Sequence, residues 1–454
     1  MNKWSVLSVA LLNGFIVPFM AAAINIATPA LSIHLNMNAI ELNWVTTIFL
    51  LSSAISLIPL GRLADIYGRK KFLLIGNMLL LLSSIMATFA SSSVIFLIIR
   101  CIQGISGSFI YGTSMALLAG AFSLDHRGKV FGIQVASVYV GLSSGPILGG
   151  ILVEYWGWES IFFIPIILST VSILLITFKI KKESAQSFGE RFDWKGSIFY
   201  GLILTGLTYG FSILPSFWGY GLILFGIVGL APFIFYQKKC SSPLINISLF
   251  YNNTVFVFSN LAALIHYCAT AGVGFLLSLY LQYLKHLSPK EAGMVLMVQP
   301  VIMAIFSPIM GNLSDKIEPY LVASSGMLMT FWGLIILSFV SSTTSLSVIY
   351  IALILMGMGF ALFSSPNTNA AISSISRKDY AMASSMLGTM RIGGQIFSMM
   401  IVMGLFSLLI GKAKIMPENY SNFLVGAKYA FGIFAFLCLV GTYASMKRGN
   451  LRGA

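Results

Sequence analysis

Three side chains sit inside long apolar stretches where charge is costly: Arg100, His266 and Arg391. An isolated charge in a low-dielectric interior is strongly disfavoured, so such a group marks a functional candidate. His266 carries the titratable ring whose ordinary pKa, about 6.5, lies near physiological pH. It is read as a candidate proton carrier, the alternative being a neutral imidazole bonded between helices. Arg100 is followed by Gln103, Gly107, Tyr111 and Ser114, which share one helix face. That face suits a polar cavity; the alternative is an arginine that fixes packing by bonding a carbonyl. Gly388, Arg391 and Gln395 also share a face. There the other reading is an arginine stem reaching toward the nearer helix end. Gln134 shares a third face with Ser137, Gly141 and Gly145. Asn25, Asn260 and Gln299 complete the expected substrate cavity. Each has the plainer alternative of an interhelical hydrogen bond worth under about 2 kcal/mol.

Other chemistries lack their residues. No GxxxxGK[ST] or HExxH pattern occurs. Cys101, Cys240, Cys268 and Cys438 are widely separated, which supports neither a zinc site nor a disulfide framework. No cofactor, no metal and no enzymatic activity are expected.

The elements that must position these groups follow from composition. Of 454 residues, 57% are hydrophobic and 9% charged, too few charges to cover a soluble surface. The sequence is that of a polytopic membrane protein, with room for about 12 to 14 helices of roughly 20 apolar residues. Apolar runs bounded by charges or turns give fourteen, an all-α membrane protein. The order is an N-terminal six-helix half (1–180), a linker with two extra helices (181–250) and a C-terminal six-helix half (251–454). The N-terminal run beginning near Lys3 is read as a retained first helix, being too long for a signal-peptide core. The net charge of +14 needs no nucleic-acid partner. Most Lys and Arg fall in alternate loops, which orients those loops and both termini toward the cytosol. The expected location is the plasma membrane, and the expected working form a monomer in the bilayer.

The loop after the second helix reads Gly61-Arg-Leu63-Ala-Asp65-Ile-Tyr-Gly68-Arg69-Lys-Lys71. Its glycines permit a tight turn, and Asp65 can accept bonds from an arginine or a helix N-terminus. Gly311-Asn-Leu313-Ser-Asp315 repeats the pattern at the matching place in the second half. Parallel halves of this kind are one of the transporter architectures. In the fifth helix Gly141, Gly145 and Gly149 recur every fourth residue, a smooth packing face, with Pro146 as a kink point.

The Gly61–Lys71 loop resembles the signature loop of the major facilitator superfamily. The Gly141–Gly150 segment resembles its antiporter motif, and Arg100 to Gly107 its arginine motif. Asn25-Ile-Ala-Thr-Pro29, Leu279-Tyr-Leu-Gln282 and Thr389-Met-Arg391-Ile-Gly-Gly394 are similar to segments of the fourteen-helix drug/proton antiporters. The resemblance covers nearly the whole chain. It implies proton-coupled efflux of drugs or other small amphipathic compounds by alternating access. In that scheme Gly61, Asp65, Gly68, Arg69, Asp315 and the Gly141–Gly149 face serve gating, and Arg100 tunes protonation or contacts substrate. Two places depart from the family: Met20 stands where its first-helix motif has an aspartate, and Trp158-Glu159-Ser160 replaces Trp-Arg-Trp. All 13 acidic residues are expected in loops or at helix ends. A cationic-drug pump would keep a buried carboxylate as counter-charge, so the same fold carrying a neutral or anionic metabolite is the alternative.

Overall fold

A computed structural model describes residues 3–122, 124–180, 192–240, 243–245, 250–251, 253–314, 316–375 and 380–449, without the side chains of 124–129, 380–382 and 385. Apolar helices follow from the bilayer, which offers no partner for a backbone N–H or carbonyl, so each segment satisfies its own. Thirteen helical segments among the described residues are long and apolar enough to cross a membrane. Helix α7, Trp194–Ser212, is the fourteenth of membrane length, made less apolar by its Gly, Thr and Tyr.

The chain forms two compact units. The first takes in Met1–Met37, Glu41–Tyr209 and Gly221–Leu244; the second takes in Asn38–Ile40, Gly210–Tyr220 and Ile245–Ala454. The two inserted helices α7 and α8 (Phe217–Lys239) therefore belong mostly with the first unit.

In the first unit α1 (Lys3–His34) is the most enclosed helix, and α5 (Leu124–Trp156) lies along it. Glycine sets that approach. A Cβ on Gly141 would stand 2.5 Å from the Phe15 carbonyl, and one on Gly145 2.6 Å from the Ala22 Cβ. Helix α2 (Ala39–Tyr67) meets α4 (Ser93–Ala121) through small residues: Ser53 donates to the Gly104 carbonyl at 2.9 Å and Ser108 to the Ser53 carbonyl at 2.7 Å. Ser106 ties α4 to Gly76 of α3 (Arg69–Ala87) at 2.8 Å. Helix α6 (Phe163–Lys179) closes the unit, Ser172 donating to Asn13 of α1 at 3.3 Å.

In the second unit α9 (Thr254–Leu279) is enclosed in the same way, its start capped by Asn253 at 2.8 Å from the Phe256 N–H. A π-helical turn, Tyr280–Leu284, ends it. The sequence predicts one helix over 292–312. Instead two pieces form, α10 (Pro289–Leu296) and α11 (Val298–Ser314), parted at Met297. Pro300 explains the break, because it lacks the N–H that would bond the carbonyl of residue 296 and its ring crowds that carbonyl. Helices α12 (Pro319–Ser338) and α13 (Leu346–Ser373) approach through Gly326 and Gly359. A Cβ on either glycine would stand within 2.6 Å of the other's carbonyl oxygen. Helices α14 (Tyr380–Leu409) and α15 (Tyr420–Met446) complete the unit.

Candidate functional site

In the first unit Arg100 is wholly buried. Its Nε donates to the Val45 carbonyl of α2 at 3.0 Å and its Nη1 to Gln103 Oε1 at 2.8 Å. The guanidinium lies 4.5 Å from the centroid of the Phe49 ring, a cation–π geometry. Arg100 Nη2 and Gln103 Nε2 have no partner among the described residues. The arginine thus bonds a carbonyl, as the packing alternative requires, and still carries an unused donor. Tyr111 stands farther along α4, 36% exposed. Asn25 on α1 accepts from Thr46 at 3.4 Å. The face carrying Gln134, Ser137, Gly141 and Gly145 turns onto α1: a Cβ on Gly14 would meet Ser137 and Gln134, and Gln134 is buried with Oε1 unpartnered among the described residues.

At the end of α2 the Asp65 carboxylate and Arg69 form an ion pair at 2.6 Å, and Arg69 also donates to the Ala116 carbonyl of α4 at 3.3 Å. The turn between α2 and α3 is made at Gly68, whose φ of 116° lies in the region L side chains avoid. Gly61 is instead a helical residue where α4 comes close, a Cβ on Gly112 standing 3.4 Å from its Cα. Pro146 is buried within α5. Asp315 lies outside the described residues.

In the second unit His266 is wholly buried. Its ring stacks on Phe363 at 4.1 Å and meets Phe360 at 5.1 Å. Nε2 is 3.4 Å from the Thr330 hydroxyl of α12, and Nδ1 has no partner among the described residues. Arg391 on α14 donates to the Thr368 hydroxyl at 2.5 Å and lies 5.7 Å over the Tyr267 ring. Asn260 is buried with Oδ1 unpartnered among the described residues; Gln299 and Gln395 are half-buried. Among the described residues, carboxylates occur at helix ends or outside helices, with none at mid-helix.

Sequence reasoning missed Arg448. Following α15, it reads as one more orienting basic residue. The structure buries it, 1% exposed, with Nη2 2.5 Å from Asn367 Oδ1. Burial pushes its pKa down to about 10. The available signal was Asn367 in the polar run Ser364–Asn369 near the end of an apolar helix.

Apolar helices with no mid-helix carboxylate among the described residues, which bury Arg100 and His266, define a polytopic membrane protein built to handle polar groups within the bilayer. The Major Facilitator Superfamily model matches residues 10–260 and 259–448, so the chain belongs to that superfamily of membrane transporters. It is 26% identical to the riboflavin transporter RibZ of Clostridioides difficile (strain 630) over 449 residues, covering 97% of this chain and 96% of that one. It is 28% identical to the multidrug resistance protein Stp of Mycobacterium tuberculosis over 377 residues, 82% and 70% of the two chains. The tetracenomycin C resistance and export protein of Streptomyces glaucescens is 24% identical over 87% of this chain and 74% of that one. Among solved structures, an auto inhibited POT family peptide transporter superposes with a TM-score of 0.73 at 13% identity, covering 100% and 98% of the two chains. The human organic anion transporter MFSD10 (TETRAN) does so at 0.65 and 16%, covering 98% and 100%.

Proposed function

We propose that this transporter exports small amphipathic compounds from the cell, drugs among them, driven by protons. The observation that carries the reading is the similarity, over most of the chain, to a multidrug resistance protein and a tetracenomycin C resistance and export protein. The unit interiors support it. Arg100 keeps a buried donor without a partner among the described residues, a group able to change partner during a transport cycle. In this reading the chain works as a monomer by alternating access, with both termini in the cytosol. Asp65 and Arg69, with the repeat at Asp315, act in gating.

His266 is the proton carrier in this reading, in place of a mid-membrane carboxylate. Its Nδ1 has no partner among the described residues, which leaves a ring nitrogen able to take up a proton. Proteoliposomes given an imposed pH gradient test both points. Export that follows the gradient in the wild type and loses pH dependence in His266→Gln is the expected result. Export that ignores the gradient refutes proton coupling, and a His266→Gln variant with an unchanged pH response refutes the role of His266.

A second reading, a neutral or anionic metabolite as cargo, is favoured by the acid-free middle of the helices and by the similarity to a riboflavin transporter.

A further inference from the structure

On α14, Gly388, Arg391 and Gln395 follow one another at intervals of three and four residues, so they stand along one helix face. A Cβ added at Gly388 would meet nothing within 4 Å. One turn on, Arg391 is half-buried and Gln395 likewise. The face closes at Met399, which is wholly buried. Among the described residues there is thus open space one helical turn before Arg391, whose backbone lies about 16 Å along a helix that begins at Tyr380, at 1.5 Å per residue.

Arg391 is held rather than left to swing. Its Nη2 donates to the Thr368 hydroxyl of α13, and its guanidinium lies over the Tyr267 ring of α9. Gly394 makes this possible, since a Cβ there would stand 2.9 Å from the Cys268 nitrogen and 2.9 Å from the Tyr267 Cβ. Phe360 meets the Tyr267 ring edge-on at 5.4 Å. Arg391 has no other hydrogen-bond partner among the described residues, and α9, α13 and α14 contain no Asp or Glu. A guanidinium facing hydrocarbon is expensive, so the open face is polar space. A fixed cation there, with no counter-charge among the described residues, repels cations and favours an anion, to which its planar fork can bond twice. The neighbouring rings favour a flat aromatic body.

We infer that this face of α14, with Tyr267 and Phe360, is a binding site for flat aromatic compounds that carry an anionic group. The inference rests on the transport reading above and narrows its substrate class.

The test uses the full-length protein in lipid nanodiscs and three flat probes: flavin mononucleotide (anionic), riboflavin (neutral) and ethidium (cationic). Wild-type affinity is expected to fall in that order, with at least tenfold between the first and last. Arg391→Gln should remove the preference, Arg391→Lys should keep part of it, and Gly388→Leu should weaken flavin mononucleotide binding by filling the open space. The thermal unfolding midpoint of each variant separates lost binding from lost folding. Ethidium binding as tightly as flavin mononucleotide, or an Arg391→Gln variant that folds and keeps the wild-type order, would overturn the inference. Parallel proteoliposome assays separate the two levels. Export of ethidium alone sinks this site assignment and leaves the exporter reading standing. Binding in the expected order without export of any probe sinks the exporter reading and supports the site.

Discussion

Arg100 of α4 donates its Nε proton to the main-chain carbonyl of Val45 on α2, 3.0 Å away. A helix carbonyl is already bonded within its own helix, so this is an added bond between two helices. The same guanidinium bonds Gln103 and stacks on Phe49. Lysine keeps the charge but lacks the planar fork that serves all three contacts at once. Arg100→Lys is expected to lower thermal stability by about 1–3 kcal/mol, the cost of a buried polar group losing its bonds, and to slow transport. Arg100→Ala should be harsher, leaving Gln103 Oε1 unpartnered as well. Thermal unfolding of the purified variants checks the order wild type, Lys, Ala.

The glycines of α5 and α2 should respond differently to the same methyl group. Gly141→Ala places a Cβ 2.5 Å from the Phe15 carbonyl and 3.2 Å from the Phe19 nitrogen, both backbone atoms that cannot swing aside. The helices must separate, at about 1–3 kcal/mol. Gly61→Ala meets nothing within 4 Å and gains helix propensity of up to about 1 kcal/mol. The expected result is a clear fall in unfolding temperature for Gly141→Ala and an equal or higher one for Gly61→Ala. Equal losses in both would refute the packing role of the α5 face.

Much of this was legible because the bilayer simplifies the code. With backbone groups forced to pair internally, apolar runs became helices, and small residues at every fourth place became the α1–α5 contact. Where a helix ends under local control the sequence was weaker. Pro300 split one expected helix at Met297, and α7 began where Asp193 could cap it. The candidate site was legible as residues but not as partners. Arg100, His266 and Arg391 stand out as polar groups in apolar runs. That Arg100 would meet Val45, or that Gln134 would turn onto α1, depends on helix rotation, which near-uniform hydrophobicity leaves unspecified. Arg448 was hidden by the positive-inside rule, under which a basic residue after a last helix needs no further explanation.

Asp193 should make the α7–α8 hairpin acid-sensitive. Burial raises its pKa, but the bonds outweigh this and hold the group below the usual carboxylate value: the Gly196 N–H at 2.8 Å, the Tyr236 hydroxyl at 2.8 Å and the Gln237 amide at 2.9 Å. A carboxylate with a depressed folded pKa stabilises fully above its unfolded value, about 3.9. That contribution is lost as pH falls below this value and through the folded pKa. The hydrogen-exchange protection factor at the start of α7, the rate relative to that of an unstructured chain at the same pH, is expected to be steady from pH 7 to about 5 and to fall below about 4. Asp193→Asn should exchange faster at neutral pH and lose the acid step, and an unchanged acid step in that variant would rule out Asp193 as its source.

Arg448 and Asn367 should show opposite signs when each is removed. Arg448 is a buried cation with no carboxylate bonded to it among the described residues; Nη2 bonds Asn367 at 2.5 Å, while Nε and Nη1 have no partner there. Replacing a buried charge with an apolar chain of similar length removes a desolvation cost, and such exchanges are often neutral or stabilising by about 1–4 kcal/mol. Removing the partner instead leaves the charge buried and less satisfied, a loss of about 3–5 kcal/mol for a broken buried pair, reduced here because Ser445 remains at 3.4 Å. Asn367 also donates to the Ser259 carbonyl at 3.1 Å, so its removal loosens α13 from α9 too. Arg448→Met is therefore expected to hold or raise the unfolding temperature, and Asn367→Ala to lower it. In the double variant the Asn367→Ala loss should be smaller than in the Arg448 background, because no buried charge is left stranded. A double-mutant cycle on unfolding free energies reads that difference directly. If Arg448→Met proves as damaging as Asn367→Ala, the charge itself holds α15 in place, and the desolvation argument for this residue fails.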